Sequence, residues 1–266
     1  GIVNFAHGAF FALGAYLAAT AVTMAAAHKV PPELGFVLML VSVALIAAAI
    51  GLLMERGLIK LFYGRDEVVL LLVTYAVFLI FEDVTKLIWG VNPIYANDPY
   101  QLFGNVEFAG LFYVGYDLML IPFSAAVGFA VWFALNRTTI GKIVTAVIHN
   151  AEMSASMGVK INRVYALAFA FGVMLAALAG GLTAPKISVQ PGLSSEIIIL
   201  SFAIVVIGGL GSIEDAAVGA ILVGLARAAS VHLLPQAELF MIYLIMAAVL
   251  MFRPEGLFRR EVARRI

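Results

Sequence analysis

Eight runs of mostly apolar residues follow one another along the chain, separated by short polar or glycine-rich segments. They cover residues 8–27, 34–54, 67–90, 116–135, 164–184, 196–210, 216–234 and 238–252. A helix needs about 20 apolar residues to cross the hydrocarbon core of a bilayer, so the runs predict an all-α, polytopic integral membrane helix bundle. The sixth and eighth runs are short, and we expect broken or re-entrant segments there. Of the 266 residues, 64% are hydrophobic and 12% charged, which excludes an ordinary soluble domain.

The basic residues predict how the bundle sits in the membrane. Most of the 16 Lys and Arg residues lie in the segments 55–66, 136–163 and 253–266. Cytoplasmic loops carry an excess of basic residues, so these segments, and with them the C-terminus, are predicted to be cytoplasmic in a multi-pass inner-membrane protein. The loop 91–115 then lies outside, and its aromatic, Pro, Gly and Asn content predicts an interfacial lid or hairpin. The net charge of zero gives no reason to expect nucleic acid as a partner.

Two polar or glycine-rich breaks precede apolar helices and are the candidate substrate pathway. The pathway residues are Asn4, His7 and Gly8 before the first span, and Gly208, Gly209, Gly211 and Ser212 before the seventh. Asn4 and His7 offer hydrogen-bonding groups without a fixed charge, which suits a neutral or zwitterionic solute better than a metal. Paired breaks are typical of an inverted repeat around a central pathway. The alternatives are a packed, hydrogen-bonded His7 and a simple tight turn at 208–212.

Small residues recur along one face of two spans. The residues are Gly8, Ala12, Ala15 and Ala19 in the first span and Ala216, Ala220, Gly224 and Ala228 in the seventh. Such stripes let helix backbones approach closely in lipid, so we interpret both as helix-packing surfaces. At the start of the seventh span, Ser212 is a candidate helix cap, with two acidic residues in the first turn.

Charged residues inside the predicted spans are few. Glu82, Asp83 and Lys86 lie late in the third span, where Glu82 and Lys86 have the spacing of a helical ion pair. We interpret them as interfacial charges close to water, and a functional role stays open. For Arg227 in the seventh span, pairing with an acid from another span and snorkelling to the interface both stay open.

Enzyme signatures are missing from the sequence. It contains no cysteine, no nucleophile-elbow, zinc-protease or P-loop motif, and its four histidines do not have the spacing of metal ligands. We therefore predict no catalytic residues, no metal site and no cofactor. If the protein uses ATP, another chain must bind it.

The polar segment 136–163 separates two strongly apolar spans. Residues 142–157 are predicted to form a short amphipathic helix across the membrane face, because apolar and polar residues alternate there with helical spacing. Gly158 should end this helix, since glycine readily adopts the left-handed conformation found after helix ends. The alternative is a solvated loop without a partner.

Several motifs in this order together resemble the branched-chain amino-acid ABC transporter permeases of the LivH type. They are IVNFAHGAFFALGAYLAA, TTIGKIVTAVIHNAEMSASMGVKINRVYALAFAFG, GGLGSIEDAAVGAILVGL and FRPEGLF. The resemblance runs from Gly1 to about Phe258, and the family usually has one more helix before the first motif, so we expect a missing upstream segment. It implies a single permease domain, residues 1–266, that imports branched-chain amino acids. Permeases for urea or short amides, and a self-sufficient secondary transporter or channel, are the alternatives.

The resemblance also implies partners and a coupling site. The expected partners are two cytoplasmic ATPase subunits, a second homologous permease and an external solute-binding protein. The family presents an E-A-A…G signature to its ATPases, which corresponds here to Glu152-Met153-Ser154 followed by Gly158, with both alanines replaced. Thr145 stands where the family commonly has a basic residue. The predicted ATPase-coupling residues are Gly141, Lys142, Glu152, Met153, Ser154 and Gly158.

Overall fold

The computed structural model describes residues 4–108, 110–209, 212–233 and 235–252, and over these ranges it is all-α apart from one short hairpin. In chain order the elements are the helices α1 (Ala6–Ala27), α2 (Pro32–Gly57), α3 (Glu67–Trp89) and α4 (Asp98–Gln101), the strands β1 (Asn105–Phe108) and β2 (Leu111–Val114), and the helices α5 (Gly115–Arg137), α6 (Thr139–His149), α7 (Ala151–Ser156), α8 (Ile161–Thr183), α9 (Leu193–Gly208), α10 (Ile213–Leu233) and α11 (Glu238–Phe252). Each of the eight apolar runs contains one long helix, which confirms the predicted fold class.

Six of the described helices are long and apolar enough to cross a membrane, namely α1, α2, α3, α5, α8 and α10. Helices α9 and α11 have only 16 and 15 residues, as their short apolar runs predicted. Contacts between the elements divide the chain into two compact units, residues 2–195 and residues 196–266. The single permease domain and the inverted repeat remain predictions.

The core of the first unit is a close-packed group of three helices, α1, α2 and α8. The stripe Gly8, Ala12, Ala15 and Ala19 is buried on α1, so the packing role predicted for it is confirmed. Backbones touch where α1 crosses α8: a Cβ atom added to Gly14 would overlap the backbone of Ala177, and one added to Gly180 would overlap the carbonyl oxygen of Phe11. Glycine is required at these crossings because any side chain would push the helices apart.

The loop between α3 and α5 forms the predicted hairpin. Strands β1 and β2 pair antiparallel from Asn105 opposite Val114 to Phe108 opposite Leu111. Ahead of the hairpin, the Tyr100 hydroxyl donates a hydrogen bond to Asp117 over 3.0 Å. Asp117 also forms an ion pair with Lys186. Burial, together with the hydrogen bond to Asp117, raises the pKa of Tyr100. Helix α4, just before the hairpin, is thus linked to the start of α5 and to the residues that follow α8.

In the second unit, α9, α10 and α11 enclose a small apolar core, formed by Leu200, Ala203, Ile207, Val223 and Ile242. The packing predicted for the second stripe does not occur within the described part of this unit. Ala220, Gly224 and Ala228 are exposed, and the face of α10 that is buried carries Gly219 instead. A Cβ atom on Gly219 would overlap the carbonyl oxygen of Ile204 in α9, so a different row from the predicted one packs against α9.

Arg227 on α10 forms an ion pair with Glu196 on α9 at 3.2 Å. This agrees with the first of the two alternatives, pairing with an acid from another span. Lipid-exposed charges inside a bilayer are costly unless they are paired or reach water. The pair therefore gives Arg227 a partner within its own unit.

The orientation predicted from the basic residues can be tested by labelling, because the chain has no cysteine. Lys142 and Asn97 are both exposed, so a cysteine at either position is accessible to a reagent on its own side of the membrane. We expect an impermeant thiol reagent added outside intact cells to label Asn97→Cys and to spare Lys142→Cys until the membrane is opened. The reverse pattern would overturn the orientation. The predicted tail position Arg259 lies outside the described residues.

Candidate functional site

The first predicted break lies at the start of α1. The Asn4 side-chain oxygen accepts a hydrogen bond from the Ala6 N–H over 3.0 Å, and Gly8 is buried. His7 is half-buried beside α8, where a Cβ atom added to Gly172 would come within 3.3 Å of its Nε2 atom. The three predicted pathway residues therefore lie together at the start of α1, with His7 next to α8.

Aromatic rings surround this start of α1. Phe5 packs edge-on against Tyr75 with ring centroids 5.7 Å apart, and Phe10 packs against Phe81 at 5.3 Å. The His7 ring itself lies 6.4 Å from that of Phe10. The environment of His7 thus combines apolar rings with an uncharged hydrogen-bonding group. A solute with an apolar side chain and a polar head matches this combination.

At the second predicted break, the end of α9 lies in close contact with the start of α10. Gly208 is buried, and a Cβ atom there would overlap the carbonyl oxygen of Asp215. Gly209 has a φ of +113°, which glycine adopts without strain. Ser212 caps α10 as predicted, since its Oγ accepts a hydrogen bond from the Asp215 N–H over 3.0 Å. This geometry accounts for the turn; the pathway role stays a prediction, and Gly211 lies outside the described residues.

The polar segment 136–163 forms two helices, so the prediction of one helix over 142–157 was wrong. Helix α6 ends at His149 and α7 begins at Ala151. Between them Asn150 is extended, with φ −154° and ψ 96°, and its side-chain oxygen accepts a hydrogen bond from the Met153 N–H over 2.9 Å. Asn is a strong helix N-cap, and it starts a new helix here despite the continuous apolar spacing.

Gly158 ends the segment as predicted. Its φ is +87°, and its N–H bonds to the carbonyl oxygen of Ala155 over 2.9 Å while the Val159 N–H reaches that of Ser154 over 3.1 Å. These two bonds define a Schellman motif, which closes a helix and reverses the chain. Nothing lies within 4 Å of a Cβ atom added to Gly158, so the backbone conformation alone demands glycine.

The predicted coupling residues divide into buried and exposed groups. Gly141 and Ser154 are buried, whereas Lys142, Glu152, Met153 and Gly158 are exposed. Gly141 is the point where α6 folds back onto the end of α5, since a Cβ atom there would overlap the carbonyl oxygen of Leu135. The Ser154 hydroxyl donates to the carbonyl oxygen of Asn150 over 2.8 Å. The buried pair therefore shapes the segment, and the exposed four are available to a partner.

Large apolar side chains are exposed on α6, on α7 and just after α7. Ile148 is 72% exposed, Met153 63% and Met157 79%. Beside them, an open groove of about 430 Å³ lies between α6 and the end of α5, lined by Leu135, Asn136, Lys142, Thr145, Ala146 and His149. An exposed apolar patch next to a polar groove is typical of a protein–protein contact.

A buried carboxylate that was missed in the sequence lies at the end of α2. Glu55 is only 1% exposed and accepts a hydrogen bond from the Tyr63 hydroxyl over 3.1 Å. Burial, and after it the Glu55 carboxylate, raises the pKa of Tyr63 well above its usual range. The Tyr63 ring in turn lies 4.9 Å from that of Tyr165 near the start of α8. The pattern E-x₇-Y in a basic loop was the only signal for this link in the sequence.

Glu82 and Lys86 form the predicted ion pair, with a separation of 3.5 Å. Lys86 stands in the last turn of α3, and the interfacial position of the pair stays a prediction. Phe81 packs against Phe10, and Trp89 stacks on Tyr16 at 5.2 Å, so the pair is level with the first half of α1 rather than its far end.

Comparison with known proteins places this arrangement in a family. The chain is 26% identical over 279 residues to the high-affinity branched-chain amino acid transport system permease protein BraD of Pseudomonas aeruginosa, covering 100% of this chain and 89% of the relative. It is 23% identical over 282 residues to the corresponding protein LivH of Escherichia coli K12, covering 100% and 88%. A probable branched-chain amino acid transport permease protein LivH of Methanocaldococcus jannaschii is 25% identical over 275 residues, covering 96% and 82%.

No solved structure matches the chain. The family described as "Branched-chain amino acid transport system / permease component" matches residues 1–252, almost the whole length. The resemblance predicted from the motifs is thereby confirmed. The chain belongs to this family of branched-chain amino acid transport permease components.

Proposed function

We propose that this chain is the membrane-spanning permease subunit of an ABC importer for branched-chain amino acids in the inner membrane. ATP is hydrolysed by two separate cytoplasmic subunits, and an external binding protein delivers the solute. The observation that carries the proposal is the family match over residues 1–252. The exposed apolar patch on the segment between α5 and α8 supports it, because a permease without its own ATP site needs a contact through which the ATPases act.

The segment from α6 to Gly158 is the proposed ATPase contact. Its exposed apolar side chains, Ile148, Met153 and Met157, fit a groove on a partner in the way that an amphipathic helix does. Lys142 and Glu152 add charges at the edge of this surface. Movement of the segment passes to α5 through the close fold-back at Gly141 and to α8 through the turn at Gly158.

The Glu55–Tyr63 hydrogen bond extends this movement to α2. Tyr165 near the start of α8 contacts Tyr63, and Tyr63 is bonded to Glu55 at the end of α2. Since α8 also packs along α1 and α2, a shift of α8 acts on the helix that carries His7. The proposed route runs from the ATPases through α8 to the start of α1.

The second homologous permease has a surface available to it. Only Gly115 and Tyr116 are buried on α5, and large side chains such as Phe129 and Phe133 are exposed. In a single copy of the chain these rings meet lipid. In the proposed complex, α5 lies in lipid or against the second permease.

Reconstitution tests the proposal. The permease, its partner permease and both ATPases are placed in liposomes, and uptake of leucine, isoleucine and valine is measured with and without ATP and the loaded binding protein. We expect uptake only when all components and ATP are present. Uptake of urea or short amides instead would change the solute class, and uptake without any ATPase would establish the secondary-transporter alternative.

The pathway role of the first break predicts a selective defect. Gly8→Leu places a large side chain at a buried position of α1, and we expect it to block uptake while assembly with the ATPases is retained. His7→Gln keeps a neutral hydrogen-bonding group and should be milder. Uptake by Gly8→Leu at the wild-type rate, measured at equal amounts of assembled complex, would leave only the packing role for this break.

A further inference from the structure

Four side chains from three segments form a polar cluster between α1 and α3, here named the Lys86 cluster: Tyr16, Glu82, Lys86 and Ser194. Lys86 Nζ lies 3.5 Å from Glu82 Oε1, and the Ser194 hydroxyl donates to Glu82 Oε2 over 3.3 Å. Asp83, at 3.2 Å from Lys86, is a second carboxylate on the outer edge. The cluster therefore holds one ammonium group between two carboxylates.

The cluster lies beside the first half of α1. Successive ring contacts pair Phe10 with Phe81 and Tyr16 with Trp89, so Glu82 and Lys86 are level with the residues from Phe10 to Tyr16. At 1.5 Å per residue, the stretch from Tyr16 to Ala27 is roughly 16 Å long. That is about half of the hydrocarbon thickness of a bilayer, so α1 continues well past the last turn of α3, which carries Lys86.

The Tyr16 hydroxyl is a buried polar group whose hydrogen-bonding capacity is unfilled within the described part of the chain. Tyr16 is 1% exposed, and its oxygen finds no hydrogen-bond partner among the described residues. Trp89, three residues after Lys86 on α3, covers the Tyr16 ring while donating a hydrogen bond to Thr20 over 2.7 Å. A buried hydroxyl without a partner destabilises a protein, which points to a ligand that supplies the missing bond.

We propose that Tyr16, Glu82 and Lys86 form a transit subsite for the charged head of a zwitterionic α-amino acid. The inference rests on the proposed function and adds to it the residues that recognise the solute. Lys86 and the Tyr16 hydroxyl bind the carboxylate of the solute, and Glu82 binds its ammonium group.

Insertion of a zwitterionic solute between Lys86 and Glu82 leaves the net charge of the pair and the solute unchanged. In this structure Lys86 and Glu82 neutralise one another, and a zwitterion that inserts between them gives each an opposite partner without a net change in charge. An uncharged solute offers neither group. An apolar side chain of the solute would find the rings of Phe10 and Phe81 adjacent to Glu82. Because Tyr16 is buried, the exchange requires α1 and α3 to separate or Trp89 to turn away.

The first experiment compares Tyr16→Phe and Lys86→Gln with wild type in the reconstituted complex. We expect leucine uptake to fall by about tenfold in each variant, as loss of a bond to a charged group does, while ATPase activity stimulated by the binding protein stays within about twofold. Glu67→Gln at the exposed start of the same helix is the matched control and should transport normally. A merely structural role predicts the opposite for Tyr16→Phe, because removal of an unpartnered hydroxyl leaves stability unchanged or raises it. Normal uptake by Tyr16→Phe would overturn the subsite.

The second experiment detects the solute directly, with photo-leucine as the probe. During turnover, the diazirine should label a peptide that includes Glu82 or Tyr16; unlabelled leucine should suppress the label, isovaleramide should not, and Lys86→Gln should lose it. Labelling that is confined to other helices, or that isovaleramide suppresses equally, would contradict the proposal. If wild type shows no ATP-dependent uptake of any amino acid, the proposed function itself fails. If uptake is normal but this peptide is not labelled, only the subsite fails.

Discussion

Replacing Gly180 by alanine should disrupt the core of the first unit, with a large loss of stability for a single added methyl group. The added Cβ atom would overlap the carbonyl oxygen of Phe11 in α1, and a backbone atom cannot turn aside as a side chain can. Overpacking of this kind costs on the order of 3 kcal/mol. The expected result is a lower yield in the membrane and a lower melting temperature in detergent.

Gly128→Ala is the matched control for this prediction. Gly128 lies inside helix α5, and nothing lies within 4 Å of a Cβ atom added there. Alanine is a better helix former than glycine by about 1 kcal/mol, so stability should be unchanged or slightly higher. Equal melting temperatures for the two variants would show that α1 and α8 are not packed backbone to backbone.

Gly158→Val should weaken the coupling between the ATPases and the permease without unfolding the protein. Its φ of +87° is strained for any side chain and most strongly for a β-branched one, so the exit of α7 must change direction. A strain of about 1–2 kcal/mol on the proposed docked state corresponds to a loss of roughly tenfold in uptake and in stimulated ATPase activity. Both are measured on the reconstituted complex at equal protein.

Two variants sharpen this test. Asn tolerates positive φ better than other side chains, so Gly158→Asn should retain most of the activity. Gly110 also has a positive φ, +75°, and open space around it, so Gly110→Val introduces comparable strain. It lies in the hairpin, which is separated in sequence from the proposed ATPase contact. Loss of uptake in Gly110→Val as great as in Gly158→Val would mean that strain anywhere is harmful. Normal transport by Gly158→Val would remove the coupling role from this segment.

A charge reversal on the same surface gives a weaker effect. Glu152 is exposed in the first turn of α7, where the helix dipole favours an acid. Glu152→Lys should weaken docking, and an exposed contact of this kind should respond to salt. The ATPase activity of the complex, measured at low and high ionic strength, reports it.

The predicted spans agree with the helices because hydropathy and length constrain a membrane helix more than any local detail. The start of α8 at Ile161, three residues before the predicted 164, shows the limit of this reasoning. Asn150 carried a recognisable cap signal, yet the apolar spacing on both sides suggested one continuous helix. The Asn150 side chain bonds to the backbone of α7, and the segment therefore forms two helices instead of one.

Contacts between distant residues were beyond sequence reasoning. In α10, the row through Gly219 packs against α9 while Gly224 is exposed, and the spacing of small residues did not show this. The stacking of Tyr16 on Trp89, and with it the depth of Lys86, depends on how α1 and α3 are aligned. The sequence showed that the third predicted span contains charged residues, but it did not show which side chains surround them.

The backbone contact between Gly14 and Ala177 has a consequence for how the protein is made. The two residues are separated by roughly 160 positions, and at about 5–20 residues per second a ribosome needs on the order of 10 s to synthesise the chain between them. During that interval α1 is already in the bilayer with its small-residue face without α8. A chain that stops before α8 leaves this face to lipid or to another nascent helix, so the interval between α1 and α8 is when insertion factors and membrane proteases have access to it.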